Sequence, residues 1–127
     1  MFKPNSIILY VADISVSTAF YQSVLKASPI ETFDDFTVFA LQDNMILGLQ
    51  AKDAIDPKAQ PAFGGFELCL SDITPEEVDA IYQDWKEKEI PIILEPVHLD
   101  FGYTFVAVDP DGHRLRICAT DTSQLTG

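Results

Sequence analysis

Basic residues are scarce in this chain. Lys and Arg number 8 against 20 Asp and Glu, and the formal net charge is −12. Such a surface repels phosphate backbones and anionic lipid, so neither nucleic acid nor a membrane is expected as a partner. Cysteine is nearly absent as well. Cys69 and Cys118 form no CxxC pair, which excludes a disulfide framework and zinc-finger spacing and makes a reducing cytoplasm the expected location. No apolar run approaches the roughly 20 residues that a membrane span needs. The opening MFKPNSIILYVAD has one Lys, a short apolar run and Asp13 where a small-residue cleavage site would stand, so no signal peptide is expected. A glycine-rich phosphate loop is missing. With His98 and His113 as the two histidines, no Ser-His-Asp arrangement is visible either.

What is present is hydrophobic patterning that breaks off and restarts. The 127 residues fit one domain, and a hydrophobic content of 47% suffices for a core. Residues 6–12 form a β-rich run ended by Asp13. Residues 14–26 then place Val16, Phe20 and Val24, with Ala19 alongside, at helical spacing, and Asp13 or Ser15 is available as N-cap. Ser28-Pro29 stops the helix. Short strand-like runs follow at 30–33, 36–41 and 45–51, separated by Asp34-Asp35 and Asp43-Asn44. Residues 52–62, with two prolines and little periodicity, read as a linker within the one domain.

The second half repeats the scheme. Residues 65–71 form a strand ended by Asp72, and Thr74-Pro75-Glu76-Glu77 carries the cap, the first-turn proline and the third-position Glu of a helix start. Val78, Ile81, Tyr82 and Trp85 line one face of that helix. Strands follow at about 91–95, 102–108 and 113–118, the last two joined by Asp109-Pro110-Asp111-Gly112. Leu9 to Ile14 can be laid on Leu68 to Ile73, so the expected fold class is α+β, with two βαβββ modules at about 5–51 and 63–119. Each sheet buries one face on its helix, and two such sheets facing one another would enclose a cleft.

Alternation decides which side chains point away from the helices. In the first strand Ile7, Leu9 and Val11 suit the helix, leaving Ser6, Ile8, Tyr10 and Ala12 for the cleft. In the fourth, Leu47 and Leu49 pack, leaving Ile46, Gly48 and Gln50. In the fifth, Phe66, Leu68 and Leu70 pack, leaving Gly65, Glu67 and Cys69. In the last, Leu115 and Ile117 pack, leaving Arg114, Arg116 and Cys118. Glu67 and Arg116 could pair on neighbouring strands. The alternative is that Arg116 binds an anionic ligand group. Phe20, Tyr82 and Trp85 are expected in the core. Tyr10, and with it Phe39, Tyr103 and Phe105, is expected to wall the cleft, where aromatics suit a flat ligand. Cys69 and Cys118 read as small fillers. His113 reads as a turn residue and His98 as a loop residue.

The repeat, the strand-Asp-helix openings and the turn DPDGHRLRI resemble the glyoxalase/bleomycin-resistance/extradiol-dioxygenase superfamily, also called vicinal oxygen chelate. Tyr10-Val11-Ala12-Asp13, Ser17 to Tyr21, and Phe101-Gly102-Tyr103-Thr104-Phe105 through Cys118 are similar to phenazine-antibiotic resistance proteins of that superfamily. The resemblance implies metal ligands at positions that here hold Ser6, Gly48, Gly65 and Arg116, none of them suited to a divalent ion. It also implies a stacking aromatic near Gln50, and a homodimer. The expected protein is therefore a cofactor-free binder of a small aromatic antibiotic or metabolite, with no catalytic residue and no metal. Its expected ligand contacts are Tyr10, Ile46, Gly48, Gln50, Glu67, Cys69, Tyr103, Phe105, Arg116 and Cys118. The alternative is a glyoxalase-like metal-dependent lyase or dioxygenase.

Overall fold

The computed structural model describes residues 1–59, 66–121 and 123. The chain divides into two compact units, Met1–Pro61 and Ala62–Gly127. The first runs β1 (Ser6–Val11), α1 (Ile14–Leu25), β2 (Glu31–Thr32), β3 (Phe36–Ala40) and β4 (Ile46–Ala51), followed by a 3-10 turn at Lys52–Ala54. The second runs β5 (Glu67–Leu70), α2 (Pro75–Glu87), β6 (Ile92–Leu99), β7 (Gly102–Val108) and β8 (Arg114–Thr120). The sheet orders are β1-β4-β3-β2 and β5-β8-β7-β6, so both units have the same topology. In each, the first strand pairs in parallel with the last and the remaining pairs are antiparallel. A parallel pair needs a crossover, and the helix supplies part of it. The expected linker at 52–62 and the expected start of the fifth strand at Gly65 fall partly outside the described residues.

In the first unit, Asp13 caps α1 by accepting from the Val16 amide at 3.1 Å, and Lys26 ends it in the left-handed conformation. The helix buries Ser17 and Tyr21, whereas Val16 is 51% exposed and Phe20 and Val24 are half-buried. This corrects the expected stripe of Val16, Phe20 and Val24. The i, i+4 pair of Ser17 and Tyr21 faces the sheet instead, and the Thr18 hydroxyl donates to the Thr37 hydroxyl at 3.0 Å. Phe20 packs edge-on against Tyr21 at 5.1 Å. Leu9, Val11, Phe39, Leu47 and Leu49 complete this core, each fully buried apolar side chain contributing roughly 1.5–3 kcal/mol relative to exposure.

In the second unit, α2 begins on a full capping box: Thr74 accepts from the Glu77 amide, and Glu77 accepts from the Thr74 amide. Val78, Tyr82 and Trp85 are buried, as their spacing predicts, and Ile81 is half-buried. The Phe105 ring meets Tyr82 at 5.4 Å and Trp85 at 5.6 Å, both edge-on. β6 continues through Pro96 to Leu99 although the sequence reading stops at residue 95. Proline cannot donate to a ladder, but β6 is an edge strand with register shifts around Leu94 and Val97, where proline is tolerated. The DPDG turn is held by Asp109, whose Oδ1 accepts from the amides of Asp111 and His113 at 2.9 and 2.8 Å. Gly112 takes a φ of 88° there.

Candidate functional site

On the sheet of the first unit, the register sets Ser6 beside Ile46, Ile8 beside Gly48 and Tyr10 beside Gln50. β3 adds Phe36 beside Gln50 and Val38 beside Gly48. This face points away from α1, because the alternate residues Leu9, Val11, Leu47 and Leu49 are the buried ones. Tyr10 and Ile8 are 44% and 43% exposed. Gly48 is buried because the Phe36 ring and the Ile8 side chain lie over it, where a Cβ would come within 2.6 and 2.7 Å of them. The Gln50 amide nitrogen donates to the Ala51 carbonyl at 3.1 Å. Phe39 is wholly buried on the helix side and cannot wall this face. Phe36 is the aromatic that does.

On the sheet of the second unit, Cys69 lies beside Arg116 and Glu67 beside Arg114. Glu67, Cys69, Arg116 and Cys118 meet at a hollow of about 440 Å³, which Ser71, Asp72, Phe101 and Thr120 complete. One of its walls is a tethered guanidinium. Nε of Arg116 donates to Glu67 Oε1 at 2.8 Å, Nη1 donates to the Thr104 hydroxyl at 3.3 Å, and the guanidinium carbon sits 5.2 Å from the centre of the Phe101 ring. The Thr104 hydroxyl in turn donates to the Ile117 carbonyl at 2.7 Å. The Arg116 side chain is 14% exposed and that of Glu67 is 36% exposed. An ion pair with a second hydrogen bond and an aromatic lid satisfies a half-buried guanidinium. The expected pairing of Glu67 and Arg116 on neighbouring strands is present.

Although Cys69 is exposed, its surroundings push its thiol pKa up. Burial is the largest cause, followed by the neighbouring Cys118 thiol and the Glu67 carboxylate, with Arg116 acting in the opposite sense. Such a thiol is protonated at neutral pH and is a poor nucleophile. Cys118 is buried. The two cysteines form a soft, weakly polar wall of the hollow.

Tyr103 and Phe105 correct the expected site. The strand TFVAV is apolar on both faces, and pairing with β8 sets Tyr103 beside Ala119 and Phe105 beside Ile117, which is the α2 side. The Tyr103 hydroxyl donates to Asp79 of α2 at 2.6 Å, and this bond raises its pKa. The His98 ring lies 4.8 Å from the Tyr103 ring, tilted by 38° to it. Both line a separate hollow of about 360 Å³ with Pro75, Asp100 and Asp121. His113 is tied to the turn, its Nδ1 2.7 Å from Asp109 Oδ2, and that bond raises its pKa. Phe101 was missed by the sequence reading because it sits in a two-residue turn between strands, where alternation carries no signal.

The chain matches the family model "Glyoxalase/Bleomycin resistance protein/Dioxygenase superfamily" over residues 3–117. It belongs to that superfamily. It is 31% identical over 122 residues to the phenazine antibiotic resistance protein EhpR of Enterobacter agglomerans, covering 93% of this chain and 92% of that one. Among solved structures, protein ATC0852 from Agrobacterium tumefaciens is 37% identical with a TM-score of 0.82, over 95% of this chain and 99% of the other. A glyoxalase-related enzyme from Fulvimarina pelagi shares the fold at a TM-score of 0.80 and 16% identity, over 93% of this chain and 88% of its own.

The superfamily implies a metal at positions that here hold Ser6, Gly48, Gly65 and Arg116. Gly65 lies outside the described residues. The Ser6 hydroxyl donates to Asn5 Oδ1 at 3.0 Å, Gly48 offers no side-chain donor and is covered by Phe36 and Ile8, and Arg116 is itself a cation. These residues do not fit a divalent ion. Among the described residues, no group of three or more His, Cys, Asp or Glu side chains could hold one. No helix among them is long and apolar enough to cross a membrane.

Proposed function

We propose that this protein binds a small aromatic antibiotic or metabolite and sequesters it, without a catalytic metal. The observation that carries this reading is the convergence of Glu67, Cys69, Arg116 and Cys118 on one hollow beside Phe101. Such a site has apolar and aromatic surface for affinity and a few fixed polar groups for orientation, the usual make-up of a small-molecule site. Its one cation is already paired and its one exposed thiol is held protonated, so it offers binding groups rather than an activated nucleophile. The similarity to a phenazine antibiotic resistance protein supports an aromatic ligand. The exposed Tyr10 and the neighbouring Phe36 provide further flat surface on the first unit. In this reading residues 1–127 act as one domain, the protein is a cytoplasmic homodimer, and protection follows by mass action when protein outnumbers drug.

Thermal unfolding with and without phenazines tests the proposal. A ligand at a hundredfold excess over its Kd stabilises by about 2.7 kcal/mol, so a clear rise in Tm is expected for at least one aromatic compound. Treatment with a chelator should leave that shift unchanged. A metal bound in stoichiometric amount and lost together with ligand binding would contradict the metal-free reading.

A further inference from the structure

We propose that the hollow between the β6–β7 turn, the end of β8 and the start of α2 is a second site, which binds a small organic cation through a guanidinium group. It stands apart from the small-molecule reading above. It lies on the α2 side of the sheet, the face opposite Arg116, and shares no lining residue with the hollow of Glu67 and Arg116.

The hairpin builds this hollow. His98 pairs with Tyr103 and Leu99 with Gly102, which leaves Asp100 in the turn. Residues directly opposite on antiparallel strands share a face, and the two rings lie 4.8 Å apart. Gly102 brings β8 close, since a Cβ there would come within 2.2 Å of the Ala119 carbonyl. Just beyond β8, the Asp121 amide donates to the Phe101 carbonyl at 2.8 Å, which holds Asp121 against the turn. Pro75, at the start of α2, completes the lining. A volume of about 360 Å³ suits a small ligand.

The lining carries the carboxylates of Asp100 and Asp121 and no Lys or Arg. Hydrogen bonds from the Ser123 side chain and amide hold the Asp121 carboxyl below its ordinary range, so it stays ionised. The chain's net charge of −12 adds a field of the same sign. Anions are therefore repelled and cations drawn in. The rings decide which kind of cation. The Tyr103 hydroxyl donates to Asp79 at 2.6 Å, and a carboxylate on the phenol polarises the ring and makes its face more negative. Such a face attracts a cation laid over it. Among the described residues, no group of three or more His, Cys, Asp or Glu side chains could hold a metal ion. An ammonium is a compact, strongly hydrated charge, whereas a guanidinium is flat, weakly hydrated and able to stack while its N–H edge meets carboxylates. The chain uses this combination internally: Arg116 lies 5.2 Å from the Phe101 ring and donates to Glu67. In the second hollow the protein presents the ring and the carboxylates, and the ligand supplies the guanidinium.

Titration of the isotope-labelled full chain, followed by NMR, tests this with three probes of similar size: propylguanidinium, propylurea and butylammonium. Propylguanidinium should shift the amides of Asp100, Gly102, Tyr103 and Asp121 in a saturable way, with a Kd on the order of 1 mM, because exposed charge pairs contribute little each. Propylurea is flat but neutral and butylammonium is charged but not flat, and each should bind at least about fivefold more weakly. Tyr103→Leu and Asp100→Asn should each weaken propylguanidinium by about threefold or more. Unchanged amide shifts of Arg116 and Cys118 in both variants would show that the sheet is intact. Propylurea or butylammonium binding as tightly as propylguanidinium, an affinity unchanged in both variants, or shifts centred on Glu67 and Asp72 would overturn the proposal. Phenazine binding is read on the other face of the sheet, so its success or failure is separate from these outcomes.

Discussion

Arg116 Nε donates to Glu67 Oε1 across 2.8 Å, and this bond ties β8 to β5 on the face turned away from α2. The arginine gains more from its surroundings than the carboxylate does. It also holds Thr104 and lies against Phe101, whereas Glu67 is the more exposed partner.

That asymmetry predicts unequal costs of mutation. Glu67→Gln should destabilise by about 0.5–1 kcal/mol, since a partly solvated pair is screened. Arg116→Ala should cost about 1–2 kcal/mol, because it also removes the stem packed on Phe101 and the bond to Thr104. Urea unfolding of the two variants measures the difference.

Phe105 and Tyr10 should separate stability from surface. Phe105 is wholly buried between Tyr82 and Trp85, and Phe105→Ala should cost about 3–5 kcal/mol. Tyr10 is 44% exposed, and Tyr10→Ala should cost less than about 1 kcal/mol. Calorimetry of both variants gives the comparison.

The His113–Asp109 contact predicts a pH dependence. The hydrogen bond to Asp109 raises the His113 pKa, opposed in part by burial and helped by the charges of Asp109 and Asp111. A raised folded-state pKa means that folding favours the protonated ring. Its contribution is therefore fully present below the unfolded value near ~6.5 and is lost as pH rises through the higher folded value. His113→Gln should remove this loss. Urea unfolding across neutral and alkaline pH should show wild type and variant converging as pH rises.

Two glycines should respond differently to alanine. Gly102 has a φ of 142°, and a Cβ there would run into the Ala119 carbonyl. Gly102→Ala should cost about 3 kcal/mol or more. At Gly48 the obstacle is the far ends of Phe36 and Ile8, which can swing aside. Gly48→Ala should cost about 1 kcal/mol and displace the aromatic face, visible as shifted Phe36 ring resonances.

Legibility followed the physics of each element. The parity of the first, fourth and last strands was readable because apolar and polar residues alternate there, as in Ile8-Leu9-Tyr10-Val11. The fifth strand corrects its reading: Phe66 and Leu70, expected to pack on the helix side, are 44% and 43% exposed, and Leu68 is half-buried. The α2 face was readable from its capping box and spacing. β3 and β7 were not, since Phe36 to Ala40 and Thr104 to Val108 can bury either face. Only pairing with β4 and β8 turns Phe39 and Phe105 toward the helices. The α1 stripe misled because Ser17 is small enough to lie against the sheet while the larger Val16 stays exposed. Phe101 acts through a contact across the chain to Arg116, which no local pattern encodes.

Chemical-shift mapping tests the central claim most directly. Titrating isotope-labelled protein with a phenazine should perturb the amides of Cys69, Phe101, Arg116, Cys118 and Thr120 in a saturable way, with Glu67 and Asp72 among them. Perturbations gathered instead around His98, Tyr103 and Asp121, or none at any ligand concentration, would contradict the account.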